Sequence, residues 1–263
     1  MSGLRQLVAP AHWRTLDFIS DLHLEAQSPQ THAAWVQFMA STAADAVFIL
    51  GDLFEVWVGD DQLEHEPQGF AANCMQTLAQ AGQRLSLFLM HGNRDFLIGE
   101  DFLRRCKATL LADPCTLISG TQTWQLAHGD ALCLDDTAYL QFREQVRSPS
   151  WQAQFLALPL TQRQAMARQM RQQSQEQQTL RAARGEGYAE VDAQAAARSL
   201  QQVHGQTLIH GHTHRPARHE LGAGLSREVL SDWDAQARPP RAQVLRMTVS
   251  AGAQGRLQRI NLL

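Results

Sequence analysis

Seven residues in this sequence carry side chains suited to holding metal ions, and each stands just beyond a short apolar run. Asp21 and His23 lie two apart in "SDLHL", and His212 and His214 repeat that spacing in "LIHGHTHRPA". Asp52 follows an apolar run in "ILGDLFE", Asn93 sits in "HGNRD" and His128 in "LAHGD". On an extended chain, residues two apart are separated by about 6.6 Å and point to one side, so each DxH or HxH pair is expected to present its ligands together. Imidazole and carboxylate without thiolate suit manganese, iron, zinc or similar divalent ions, and they are not the donors of a structural cysteine-type zinc site. Each residue alone is a weak signal. A strand-end aspartate is a turn or cap residue about as often as a ligand, and a single histidine is more often a structural hydrogen-bonder. Seven of them, each after its own apolar run, are hard to assign to turns. They are also too many for one open site, whereas two ions sharing a bridging carboxylate would each receive four protein ligands.

Positioning such a set requires strands that end together. "TLDFISDLHL", "AVFILGDLFE", "LSLFLMHGNRDF", "TWQLAHGD" and "TLIHGHTHRP" share one pattern, an apolar run opening into polar residues. They read as buried strands whose C-terminal ends carry the site, as in layered α/β folds. Between them, Ser28-Pro29 reads as a cap followed by proline in the first turn, with Trp35, Phe38 and Met39 at helical spacing. Residues 70–80 read as a second helix. Strand and helix alternate through the first hundred residues, which predicts an α/β layered core. The tail holds two further candidate strands, "QVLRMTVS" and "LQRINLL", expected to extend a second sheet.

Residues 137–203 differ. They contain no convincing strand, are rich in Gln, Ala and Arg, and read as a helical insertion within a single domain spanning 1–263. Thr161 and Gln164 fit a capping box. The apolar stretch "WQAQFLALPL" either packs on the core or forms a binding surface. Seven arginines, from Arg143 to Arg184, accompany it.

The 263 residues are 44% hydrophobic with a formal net charge of -3, which allows a full core and gives no global attraction to nucleic acid. The four cysteines form no CxxC pair and read as reduced thiols of a cytoplasmic protein. Neither a signal segment nor an apolar run long enough to span a bilayer is evident.

The order DxH, GD, GN(H/R)D, H, GHxH resembles that of the calcineurin-like metallophosphoesterases, and the likeness covers almost the whole chain. It implies an α-β-β-α sandwich. It also implies that Asp21, His23, Asp52 and His214 hold one ion and Asp52, Asn93, His128 and His212 the other, with Asp52 bridging and His210 in a supporting role. Four positive charges, less two carboxylates and a bridging hydroxide, would leave the site ready for a phosphate oxygen. Ions about 3.5–4 Å apart can activate water and clamp the transition state, so the expected step is in-line attack of hydroxide on phosphorus.

Where the family usually has "GNHD", this chain reads Gly92-Asn93-Arg94-Asp95. Arginine binds phosphate in bidentate fashion but does not donate a proton near neutrality, which favours a diphosphate whose leaving group is itself a phosphate. Within the family the chain is similar to the branch acting on an acylated sugar nucleotide in lipid A biosynthesis. That likeness implies hydrolysis of UDP-2,3-diacylglucosamine to UMP and 2,3-diacylglucosamine 1-phosphate, with two Mn2+ per chain. It further implies substrate contacts from Asn93, Arg94, Asp136, Ser174, Gln178, Arg181 and His212, and catalytic roles for Asp52, Asn93, Arg94 and His212. The insertion would then cap two acyl chains. Its arginines would meet anionic head groups, placing a monomer peripherally on the cytoplasmic face of the inner membrane.

Overall fold

The apolar runs become parallel strands because both of their faces are covered. In the computed structural model, which describes residues 3–183, 190–249 and 255–263, β1 is Leu4–Val8, β2 Thr15–Ile19, β3 Ala46–Leu50 and β4 Ser86–Met90. Strands β2, β3 and β4 are parallel neighbours in register, pairing Phe18 with Phe48 and Phe48 with Phe88. The three rings stack at centroid distances of 4.9 and 4.8 Å on one side of the sheet. Residues of the opposite parity, such as Val47 and Ile49, face helices α1 (Pro29–Ser41), α3 (Phe70–Ala81) and α4 (Glu100–Cys106), and α2 is a single turn, Gln62–His65. Full burial of a side chain such as Trp35 or Phe102 stabilises the fold by about 2–3 kcal/mol each.

Strand β5 (Ala108–Ser119) turns the sheet onto itself. Its first four residues pair parallel with β4 and its last five antiparallel with β6 (Gln122–Ala127). Pro114 lies between the two stretches, where it withholds no ladder donor. Strand β1 runs along both parts of β5. Beyond the corner, β6, β7 (Thr207–His210) and β9 (Leu225–Val229) are parallel, and β8 (Arg218–Gly222) closes the edge antiparallel to β9. Phe48, Phe88 and Met247 from one half meet Leu117, Leu126 and Ile209 from the other in one cluster. Helix α8 (Ala193–Gln202) covers the outer face of the second half through Ala196 and Leu200. The result is the expected α-β-β-α sandwich, with its two sheets hydrogen-bonded into one curled path.

The tail departs from expectation. Strands β10 (Gln243–Thr248) and β11 (Arg256–Asn261) extend the first half, not the second, because β10 pairs antiparallel with β2. Arg246 there forms a two-point pair with the buried Asp17 of β2.

The described part of residues 137–203 holds the helices α5 (Thr137–Arg147), α6 (Pro149–Leu156), α7 (Leu160–Ala183) and α8. Helix α7 starts at Leu160, ahead of the cap expected at Thr161. The stretch from Trp151 mostly packs inward: Phe155 joins the core, Trp151 stacks on it at 4.7 Å, and Leu156 remains exposed. All four cysteines are buried, and none forms a disulfide. Among the described residues no helix is long and apolar enough to cross a membrane.

Candidate metal centre

The loops after β2, β3, β4, β6 and β7 meet at one end of the sandwich, and the ladder continues through them. Asp21 N–H donates to the Gly51 carbonyl, His23 N–H to Asp52, and Gly211 N–H to His128. Asp21, His23, Asp52, His212 and His214 all have φ between 46° and 68°. The extended geometry expected for the DxH and HxH pairs is therefore wrong: the chain coils left-handed at each of these residues. Non-glycine residues in that region cost stability and persist where the surroundings fix them, as at functional sites. Gly92 is required by close approach, since a Cβ there would collide with the Asp52 carboxylate.

The seven residues converge. Asp21 Oδ1 is 3.3 Å from His214 Nε2, which is 3.3 Å from His23 Nε2. Asp52 Oδ2 lies 3.9 Å from His23 Nε2 and 3.7 Å from His128 Nε2, so one oxygen faces both groups. Asn93 Oδ1 is 2.9 Å from His128 Nε2 and 3.0 Å from His212 Nδ1. Two sets able to grip a cation share Asp21: Asp21 with His23 and His214, and Asp21 with Asp52 and His128.

The donors fit divalent ions. Asp21 Oδ1 is buried with no hydrogen-bond donor, while Oδ2 accepts from Ser20 Oγ and His212 N–H. His128 Nδ1–H can donate to the Leu50 carbonyl at 3.0 Å, which turns the Nε2 lone pair toward the centre. His23 Nδ1 lies 2.7 Å from Glu55 Oε2 and is oriented the same way. Such backing of a histidine's distal nitrogen is what metal ligation requires.

Charge in the pocket follows from this crowding. Burial would raise the Asp21 carboxyl, but the adjacent His214 and the charges of His128 and His23 hold it well below the usual carboxylate range. Burial disfavours charge on His23, yet Glu55, Asp52 and Asp21 raise its pKa to about 9. His128 is raised to about 9 against its own burial by Asp52, Asp130 and Asp21. Burial and the neighbouring His128 lower His212 to about 4. The pocket thus draws positive charge, which protons supply in the chain alone and cations would supply better.

The other residues singled out from sequence fall around this centre. Arg94 N–H donates to Asp52 Oδ1, and its guanidinium is 3.7 Å from Glu55 with Nε buried and unpaired. It does not hold Asp95, which instead accepts from Leu53 N–H and Gly92 N–H and so ties the Asp52 and Asn93 loops together. His210 is buried between the Gly211 carbonyl and Arg227, and burial lowers it to about 3. Asp136 caps α5, accepting from Tyr139 N–H. Ser174 is half-buried on α7. The side chains of Gln178 and Arg181 lie outside the described residues.

Sequence inspection missed Glu55, Asp95, Asp130, Tyr139 and Arg171. Asp95 and Asp130 had a signal, since each closes a Gly-containing motif that also holds a candidate ligand. Tyr139 and Arg171 had none, because only the folding of helices α5 and α7 back over the strand-end loops brings them in. Arg171 Nε is 3.0 Å from Glu55. The arginines also correct an expectation: Arg143, Arg147, Arg163 and Arg171 engage Asp130, the Gly92 carbonyl, Asp61 and Glu55, so these four do not present a basic surface to head groups.

The UDP-2,3-diacylglucosamine hydrolase of Chromohalobacter salexigens is 44% identical over 236 residues, 87% of this chain and 91% of that protein. Proteins of the same name from Cellvibrio japonicus and Ralstonia nicotianae are 43% identical, covering 83% of this chain and 91% of theirs, and 44% identical, covering 88% of each. A model of the calcineurin-like phosphoesterases matches residues 14–216, which contain all five strand-end loops. With that span and those relatives, the chain belongs to the calcineurin-like phosphoesterase family.

Proposed function

We propose that this chain hydrolyses the diphosphate of UDP-2,3-diacylglucosamine to UMP and 2,3-diacylglucosamine 1-phosphate, a step of lipid A biosynthesis. The observation that carries the proposal is the position of Asp52 Oδ2, within 4 Å of imidazoles from both halves of the sheet. Asp21, His23, Asp52 and His214 would hold one ion and Asp52, Asn93, His128 and His212 the other, with manganese the expected metal. Bound there, two divalent cations supply Lewis-acid charge and lower the pKa of water.

The chain's own groups do the rest. Asn93, Arg94 and His212 border the centre and orient the diphosphate, with attack at the phosphorus nearer the uridine. Arg94 carries an unpaired buried Nε–H and a guanidinium beside Glu55, and it offers a planar fork to phosphate oxygens. The departing group is a sugar 1-phosphate, which needs little protonation, so arginine serves where a histidine acid would serve an alkyl ester. Asp136, Ser174, Gln178 and Arg181 complete the substrate contacts. The helical insertion caps the acyl chains, and its exposed Phe142 and Leu156, with Leu134 just ahead of it, support a peripheral encounter of the monomer with the cytoplasmic face of the inner membrane.

Purified protein with manganese and UDP-2,3-diacylglucosamine should release UMP. Absence of UMP, together with phosphate release from a simple aryl monoester, would overturn the proposed substrate.

A further inference from the structure

Helix α5 stands at the start of the insertion, yet its inward face touches all three loops that carry Asn93, His128 and His212. Arg147 donates to the Gly92 carbonyl at 2.8 Å, next to Asn93, and its guanidinium lies over the Phe96 ring at 5.2 Å. Arg143 spans two buried carboxylates, 2.8 Å from Asp130 and 3.0 Å from Asp113. Asp113 in turn accepts from the backbone N–H of His128, and Asp130 lies two residues beyond His128 and takes the Tyr139 hydroxyl at 2.5 Å. The Tyr139 ring stacks on His212 at 6.1 Å. None of these groups offers a lone pair to the ion site. They fix the loops that do.

We infer that α5 is a positioning element for one ion of the pair, with Arg147, Arg143 and Tyr139 setting the geometry of Asn93, His128 and His212. The inference rests on the dinuclear centre proposed above. Asp21, His23 and His214 receive no contact from α5 among the described residues. Their backing comes from Ser20, Glu55 and Asp232. Loss of the α5 contacts should therefore weaken one ion and spare the other, which a general loss of stability would not do. The insertion then serves the metal centre as well as the substrate.

The test is manganese uptake by the full chain, read by calorimetry for two affinities and by electron paramagnetic resonance for the spin-coupled pair. Wild-type protein should bind two ions; fewer than two would overturn the dinuclear centre and this inference with it. Arg147→Met should keep one ion at wild-type affinity, weaken the other by about 10–100-fold and replace the coupled signal by a mononuclear one. Arg147→Lys, which retains a donor for the Gly92 carbonyl, should restore the pair. Two ions at wild-type affinity in Arg147→Met, or equal weakening of both, would overturn the inference while leaving the dinuclear centre standing. Should Arg147→Met fail to fold, Tyr139→Phe removes only a hydroxyl. The same split is expected there, and wild-type affinity for both ions counts against the inference.

Discussion

Asp52 and His128 come from opposite halves of the curled sheet, and the Asp52 Oδ2 atom stops 3.7 Å from His128 Nε2. The same oxygen is 3.9 Å from His23 Nε2, so a single atom faces both ligand groups. Asp52→Asn should therefore disturb both ions together, with turnover falling by about a thousandfold or more, the scale on which charge stabilisation at such centres operates. His214→Ala, at one edge, should weaken a single ion. Metal content after dialysis checks this: two ions retained by Asp52→Asn would remove the bridge.

Protons and metal compete for the same imidazoles. His23 and His128 rise from an ordinary 6.5 to about 9 in the chain alone. Their contribution to stability is fully present below pH 6.5 and is lost as pH rises through about 9, because the folded state holds protons that the unfolded state has released. Ligation requires neutral rings, so metal affinity runs the other way, rising across that window and levelling off above it. His212, lowered to about 4, stays neutral and adds nothing there. Calorimetry in two buffers of different ionisation enthalpy should detect proton release on manganese binding near neutral pH. An affinity that does not change over this pH range would contradict the assigned charges.

What was legible in the sequence follows the range of the physics. The strand-end placement of the candidate ligands was readable because a buried parallel strand needs an unbroken apolar run, and the first polar residues after it must lie at the sheet's C-terminal edge. Helix α1 was readable from Ser28-Pro29 and from the spacing of Trp35, Phe38 and Met39. The backbone of the ligand pairs was not, since a left-handed φ at Asp21 or His214 is imposed by neighbouring loops that sequence order does not show. Nor was the side of the sheet that β10 joins, which depends on long-range pairing with β2 and on the Arg246 pair with Asp17. The insertion's arginines looked like a surface feature because their partners, Asp61, Asp130 and Glu55, lie outside the insertion, two of them more than a hundred residues away.

Arg163 illustrates that last point and carries its own prediction. It is 2% exposed at the start of α7, donates to the Val58 and Leu158 carbonyls, and pairs with Asp61. Asp61 is largely open to solvent, so water can replace the arginine there at little cost. The two carbonyls and the packing cannot be replaced so readily. Arg163→Ala should cost about 2–3 kcal/mol, seen as a lower urea midpoint at unchanged slope. A midpoint equal to wild type would show that α7 is held elsewhere.

In the proposed function, Arg94 is the residue that would decide which phosphoester the centre prefers. Its backbone N–H is already committed to Asp52, and its guanidinium stands near Glu55 with Nε buried and unpaired. Arg94→Ala should fold normally and lower kcat/KM on the sugar-nucleotide diphosphate by about 100- to 1000-fold, the usual cost of one aimed donor at a developing negative charge. Arg94→Lys should recover part of this, since a point charge replaces the bidentate fork. Arg94→His places a proton donor where an alkyl leaving group would need one. It should lose rate on the diphosphate while gaining relative rate on a simple alkyl monoester, so the ratio of the two rates is the measurement. If all three variants slow both substrates by the same factor, Arg94 serves only general anion binding and the preference for a diphosphate must arise from the insertion.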